Sequence, residues 1–139
     1  MKRNVLVDTG PLVALINRRE QSHNWVIAQL GNIAYPLLTC EAVITEACFL
    51  LHHIYGGEAA LISLLSSGNL EIPFRLNDEF QAVSQLMTRY QSVPMSLGDA
   101  CLVRMTELSP ESGLLTLDSD FLIYRKNRNE TISLIIPEE

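Results

Sequence analysis

At 139 residues and 47% apolar composition, the chain is expected to fold as one domain, 1–139, burying roughly two-thirds of its unfolded surface. No apolar run approaches the roughly 20 residues that span a bilayer, and Met1-Lys2-Arg3 opens too short an apolar stretch for a signal peptide. A cytoplasmic protein without membrane association is expected. Ten basic residues against sixteen acidic leave a net charge of −6, which argues against holding nucleic acid by overall positive charge alone.

In chain order, short apolar runs predict strands at 4–7, 36–39, 69–72, 113–117 and 131–136. Helical periodicity predicts a helix over 11–17 and another over 22–30, with Trp25, Ile27 and Ala28 on its apolar side. Further helices are predicted over 41–55, 58–65, 78–90 and 97–108, with a short one near 121–124. Gly56-Gly57 reads as a helix stop, because no strand-Gly-Lys context makes it a phosphate loop. Phe80, Val83 and Met87 form an apolar stripe suited to a core or a dimer interface. Strands alternating with helices predict a three-layer α/β/α sandwich with a mostly parallel central sheet of about five short strands. In such folds ligands bind at the carboxyl ends of strands, near a reversal of strand order.

Asp8 ends the first predicted strand and Asp118 follows the fourth. On the helix over 41–55, the residues three and four positions from Glu46 are Ala42, Val43, Phe49 and Leu50, all apolar. That places Glu46 on a core-facing stripe, where a charge is costly unless it is paired or holds a metal. Asp99 has Leu102 and Val103 on its side one turn further on. Carboxylates gathered together repel, and some would be protonated at neutral pH unless a cation sits among them. Oxygen ligands without thiolate or imidazole suit Mg²⁺ or Mn²⁺, ions that can generate hydroxide and stabilise displacement at phosphorus.

The segments Asp8-Thr-Gly-Pro-Leu-Val-Ala-Leu, Thr45-Glu46-Ala, Leu97-Gly-Asp99-Ala and Thr116-Leu-Asp118-Ser-Asp120-Phe121 occur in this order. Together they resemble the PIN domain, particularly its VapC-like toxins, from Val5 to about Ile136. The resemblance implies a metal and catalytic set of Asp8, Glu46, Asp99 and Asp118. Thr9, Thr116 and Asp120 would be auxiliary. It further implies Mg²⁺- or Mn²⁺-dependent cleavage of RNA by activated water, leaving a 5′-phosphate and a 3′-hydroxyl. A homodimer is implied too and, for a toxin, a small antitoxin covering the site.

Each motif also has a plainer reading. Asp8 and Thr9 before Gly10-Pro11 suit a helix cap, Ser96-x-x-Asp99 suits a capping box, and Asp118 or Asp120 suits a cap on the short helix. Glu46 lies mid-helix and cannot cap; its plain alternative is a buried ion pair with Arg104. A scaffold that binds RNA or protein without cutting is a second reading, motivated by the net acidity. A receiver or dehalogenase-type phosphotransfer domain is a third. It lacks the second Asp two residues after Asp8, and Lys126 is its only late lysine.

RNA contacts are expected from Arg18-Arg19 and from the cluster Arg125, Lys126 and Arg128. Cys40, Cys48 and Cys101 have no C-x-x-C spacing and read as buried free thiols. His52-His53 point to different helix faces and do not suit a metal pair. His23 reads as part of an exposed capping region, and Trp25 as an apolar anchor.

Overall fold

Val5, Leu6 and Val7 are buried on both faces, as a central strand of a parallel sheet requires. In the computed structural model, which describes residues 1–138, they form β1 (Val5–Val7). The chain continues through α1 (Thr9–Ile16), α2 (His23–Leu30), β2 (Leu37–Leu38), α3 (Glu41–Leu51), α4 (Gly57–Ser66) and β3 (Leu70–Glu71). It closes with α5 (Leu76–Arg89), α6 (Leu97–Leu108), β4 (Gly113–Leu115), a 3-10 turn (Ser119–Leu122), β5 (Arg125–Lys126), β6 (Glu130–Thr131) and β7 (Leu134–Ile135).

The main sheet has the order β3-β2-β1-β4-β7 and every pairing in it is parallel. Leu6 registers with Leu38 on one side and with Leu114 on the other. The chain steps outward from β1 through β2 to β3, then returns to the far side of β1 as β4. That reversal opens a crevice at the carboxyl ends of β1 and β4, where Asp8 and Asp118 leave the sheet. The order differs from the 2-1-3-4-5 arrangement of receiver-type folds, which removes the receiver form of the phosphotransfer reading. Six α-helices flank the sheet. α1 packs on α2, α3 and α4, while α5 packs on α6, which lies against β1 and β4.

The predicted α/β/α architecture and five parallel strands are present. Boundaries differ where local chemistry overrides periodicity. The run over 131–136 divides: Leu134–Ile135 joins the sheet, whereas Glu130–Thr131 pairs antiparallel with Arg125–Lys126. Asn127 and Arg128 turn this small hairpin with φ of 48° and 75°, and Asn is among the few residues that visit such conformations readily. α3 stops at Leu51 rather than reaching residue 55. Gly56, at φ 73°, caps the start of α4 instead of closing α3. On α2 the buried residues are Val26 and Leu30, with Trp25 half-buried against the core; Ile27 and Ala28 face solvent.

Glu46 needs the largest correction. The buried stripe of α3 is Val43, Ala47 and Leu51, and Glu46 lies off it, exposed. Phe49 and Leu50 beside it are 70% and 43% exposed, so an apolar neighbourhood here does not mean a buried one. Arg104 does not pair with it; that guanidinium holds Glu79 at 2.7 Å and Glu107 at 3.1 Å.

Candidate active site

Each acidic residue reaches the crevice from a different element, and in three cases the start of a helix supplies the position. Asp8 follows β1 and precedes α1; its Oδ1 accepts the Thr9 amide at 2.8 Å. Asp99 sits in the first turn of α6 within a capping box: Ser96 Oγ accepts the Asp99 amide at 3.0 Å, and Asp99 Oδ2 accepts the Ser96 amide at 3.1 Å. Asp118 precedes the 3-10 turn, with Oδ1 accepting the Asp120 amide at 2.9 Å. Helix amino ends favour negative charge. The capping roles read from the sequence are therefore real, and they coexist with a shared location. Glu46 arrives from the exposed flank of α3.

All four line one open cleft of about 340 Å³, together with Thr9, Gly10, Leu50, Ser96 and Leu117. Thr116, fully buried, fastens its floor by donating to Asp8 Oδ2 at 2.8 Å and accepting the Asp118 amide at 3.0 Å. Thr9 is buried beside Asp8, and its hydroxyl has no protein partner among the described residues. Asp120 lies on the 3-10 turn outside the set of residues lining the cleft.

Burial pushes the Asp8 carboxyl up to about 6 from 3.8, aided by the charges of Asp99 and Asp118 and opposed by the bonds from Thr116 and Thr9. Asp99 is also raised, chiefly by burial, with Asp118 and Glu46 adding repulsion against the bonds from Ser96. The carboxylates feel one another. Among the described residues, however, no three His, Cys, Asp or Glu side chains form a ready-made metal cage. An open arrangement suits Mg²⁺, which keeps several waters and takes only one or two carboxylates directly. Asp99 Oδ1 and Asp118 Oδ2 have no protein donor among the described residues, so an all-oxygen donor set is available.

The basic residues are placed less favourably. Lys126 is only 8% exposed, and its Nζ donates to the Pro110 carbonyl at 3.4 Å. Arg125 folds its guanidinium back onto the carbonyls of Leu122, Ile123 and Tyr124. Arg18 and Arg19 are exposed but follow the far end of α1 from Asp8, roughly 12 Å along the helix axis. Arg128 is exposed on the hairpin turn. Sequence reasoning missed Leu50, Leu117 and Tyr124. The Tyr124 hydroxyl lies 3.0 Å from the Pro94 carbonyl and 3.4 Å from Asp99 Oδ2. These contacts span about a fifth of the chain and leave no local pattern.

A parallel sheet with an acidic cleft at its switch point, fed by four separate elements, defines an α/β protein of the three-layer class. The chain belongs to the PIN domain family, whose model matches residues 5–127. Its structure is similar to the crystal structure of Mycobacterium tuberculosis VapC20, described as a sarcin-ricin loop cleaving toxin. The TM-score is 0.76 at 18% sequence identity, over 84% of this chain and 92% of that one. At that identity the likeness demonstrates a shared fold. No curated protein sequence matches the chain in a direct comparison.

Proposed function

We propose that this PIN domain is a divalent-metal-dependent ribonuclease, and that it serves as the toxin of a toxin–antitoxin pair. The observation that carries the reading is the gathering of Asp8, Glu46, Asp99 and Asp118 around one cleft. They come from four elements separated by much of the sequence, and capping alone gives no reason for them to meet.

Asp8, Asp99 and Asp118 would hold the ion, with Glu46 at the solvent side. When bound, Mg²⁺ or Mn²⁺ supplies a Lewis acid and lowers the pKa of coordinated water. The protein's own part is positioning. Thr116 fixes Asp8 and the start of the Asp118 loop, and Ser96 fixes Asp99. The product ends are then a 5′-phosphate and a 3′-hydroxyl. Cytoplasmic RNA is the substrate in this reading, the active form is a homodimer, and a small antitoxin covers the cleft. Because the similar VapC20 is a sarcin-ricin loop cleaving toxin, RNA carrying that loop is the first substrate to test.

Incubation with such RNA and Mg²⁺ or Mn²⁺ should give cleavage by the wild-type chain and none by Asp8→Asn or Asp99→Asn. Undiminished cutting by both variants removes the proposed site. A second reading, an RNA- or protein-binding scaffold that does not cut, draws on the acidic net charge and on the internal engagement of Lys126 and Arg125. Binding of intact RNA without dependence on divalent ions would favour it.

A further inference from the structure

Tyr124 follows the 3-10 turn that begins after Asp118, and it lies outside the set of residues lining the carboxylate cleft. Its side chain is fully buried, with the ring edge-on to Phe121 at 5.3 Å and to Tyr90 at 5.1 Å between centroids. This cluster fastens the turn to the end of α5, where Tyr90 sits. The backbone adds to the hold. The Tyr124 amide donates to the Asp120 carbonyl at 3.1 Å, and the Arg125 amide donates to the Tyr90 hydroxyl at 2.9 Å. With its ring fixed, the Tyr124 hydroxyl has a set position, 3.0 Å from the Pro94 carbonyl and 3.4 Å from Asp99 Oδ2. A single phenolic proton thus faces two acceptors in a three-centre arrangement. An ionised carboxylate is the stronger acceptor of the two.

The two oxygens of Asp99 have different surroundings. Oδ2 accepts the Ser96 amide at 3.1 Å and faces Tyr124, whereas Oδ1 has no protein donor among the described residues. The torsion that turns an aspartate carboxyl is broad, so one donor through one oxygen leaves it free to swing. Ser96 belongs to the cap of α6 itself, while Tyr124 approaches from a separate element. We propose that Tyr124 is a positioning residue of the cleft, whose hydroxyl holds Asp99 with Oδ1 presented to a divalent cation and ties Asp99 to the segment that carries Asp118. Thr116 joins Asp8 to Asp118 in the same manner. The two hydroxyls make one frame, running from Asp8 through Thr116 to the Asp118 loop, and from that loop through Tyr124 to Asp99. No part of Tyr124 meets solvent, so it touches no RNA and acts through the carboxylate. This role rests on the metal-dependent reading above.

The test removes single oxygen atoms from the full chain. Tyr124→Phe keeps the ring and loses the hydroxyl. Tyr90→Phe loses a hydroxyl of the same cluster, one that bonds the Arg125 amide and lies away from the cleft. A role in the fold alone predicts lower stability in urea for both variants and unchanged Mn²⁺ binding by both. The positioning role predicts that Mn²⁺ affinity falls at least about tenfold in Tyr124→Phe, the scale seen when hydrogen bonds to metal ligands are removed. Tyr90→Phe should bind Mn²⁺ as wild type does. In RNA cleavage at saturating Mn²⁺, kcat should fall in Tyr124→Phe while KM keeps its wild-type value. Wild-type Mn²⁺ affinity in Tyr124→Phe, an equal loss in Tyr90→Phe, or a change confined to KM would each overturn the proposal. The wild-type chain supplies a measurement that needs no variant to fold. With labelled tyrosine, Mg²⁺ should shift the NMR signals of the Tyr124 ring more than those of Tyr90. Equal shifts in a chain that binds Mn²⁺ overturn the role as well. A wild-type chain that binds no Mn²⁺ fails differently: the metal reading falls, and the role of Tyr124 with it. If the wild type binds Mn²⁺ but cuts no RNA, the ribonuclease reading falls and the Mn²⁺ comparison still decides the role of Tyr124.

Discussion

Thr116 and Asp8, 108 residues apart, share a buried hydrogen bond of 2.8 Å, and the same hydroxyl accepts the Asp118 amide at 3.0 Å. One side chain thus sets two carboxylates at the ends of neighbouring strands. Thr116→Val keeps the shape but leaves the Asp118 amide and one Asp8 oxygen without their partner. A buried polar group stripped of its partner costs about 1–3 kcal/mol. The expected result is an unfolding free energy, measured in urea, lowered by that amount and RNA cleavage reduced at least about tenfold. Thr116→Ser should recover most of both. Unchanged cleavage by the valine variant would show that this bond serves the fold alone.

The raised carboxyl of Asp8 makes stability depend on pH in a definite direction. Its value is about 6 when folded against 3.8 for the free side chain. The folded state therefore holds the proton more tightly than the unfolded one. Below the unfolded value this contribution to stability is complete, and it is lost as pH rises through the folded value. The loss amounts to about 3 kcal/mol between about pH 4 and about pH 7. Asp8→Asn does not titrate there, so in metal-free buffer it should gain on wild type by roughly that amount across the window. Divalent ions should raise the wild-type Tm more at neutral than at acidic pH, because they bind the ionised form. Parallel pH–stability curves for the two proteins would contradict the burial of an ionisable group at this position.

Glu46 and Asp99 should separate stability from function. Glu46 is exposed and makes no hydrogen bond or ion pair among the described residues. Glu46→Gln should leave the Tm almost unchanged, within about 0.5 kcal/mol of stability, while cleavage falls. Asp99→Ala removes half of a capping box as well as a cleft carboxylate, so it should cost about 1 kcal/mol of stability in addition to activity. Thermal denaturation beside RNA cleavage checks both. A Glu46→Gln variant that cuts at the wild-type rate would take Glu46 out of the site.

How far the sequence carries depends on the range of the interaction being read. The parallel sheet was legible because Val5, Leu6 and Val7, and Leu114 and Leu115, form uninterrupted apolar runs, the mark of strands buried on both faces. Asp8 and Asp118 were legible as strand-end residues for the same reason. Apolar neighbours at positions 49 and 50 do not make Glu46 buried, because Phe49 and Leu50 lie on an open flank. It lines the cleft nonetheless, because the family motif and not the burial pattern located it. The basic cluster at 125–128 misled in another way. Charge is visible in sequence, but not the fold of a hairpin that turns Lys126 inward and wraps Arg125 around its own carbonyls. The contact of Tyr124 with Asp99 depends on packing over a long separation, beyond what periodicity records.

The corner between α3 and α4 gives a test of how the fold supports the site from a distance. A Cβ placed on Gly57 would lie 2.9 Å from the Leu51 carbonyl oxygen and 3.2 Å from the Cβ atoms of Leu51 and Ile54. The carbonyl belongs to the last residue of α3 and cannot yield without moving that helix end. Gly56 next to it has open space around its missing side chain but a φ of +73°. The two glycines are required for different reasons, one by close approach and the other by backbone conformation. Gly57→Ala should destabilise by about 1–3 kcal/mol through overpacking. Gly56→Ala should cost about 1 kcal/mol for the left-handed conformation, and Gly56→Asn less, since Asn tolerates it. Because only the Gly57 substitution pushes on α3, it alone should also weaken Mn²⁺ binding at the cleft that Glu46 lines. Equal losses of stability at the two positions, with metal affinity untouched in both, would mean that the end of α3 moves without disturbing Glu46.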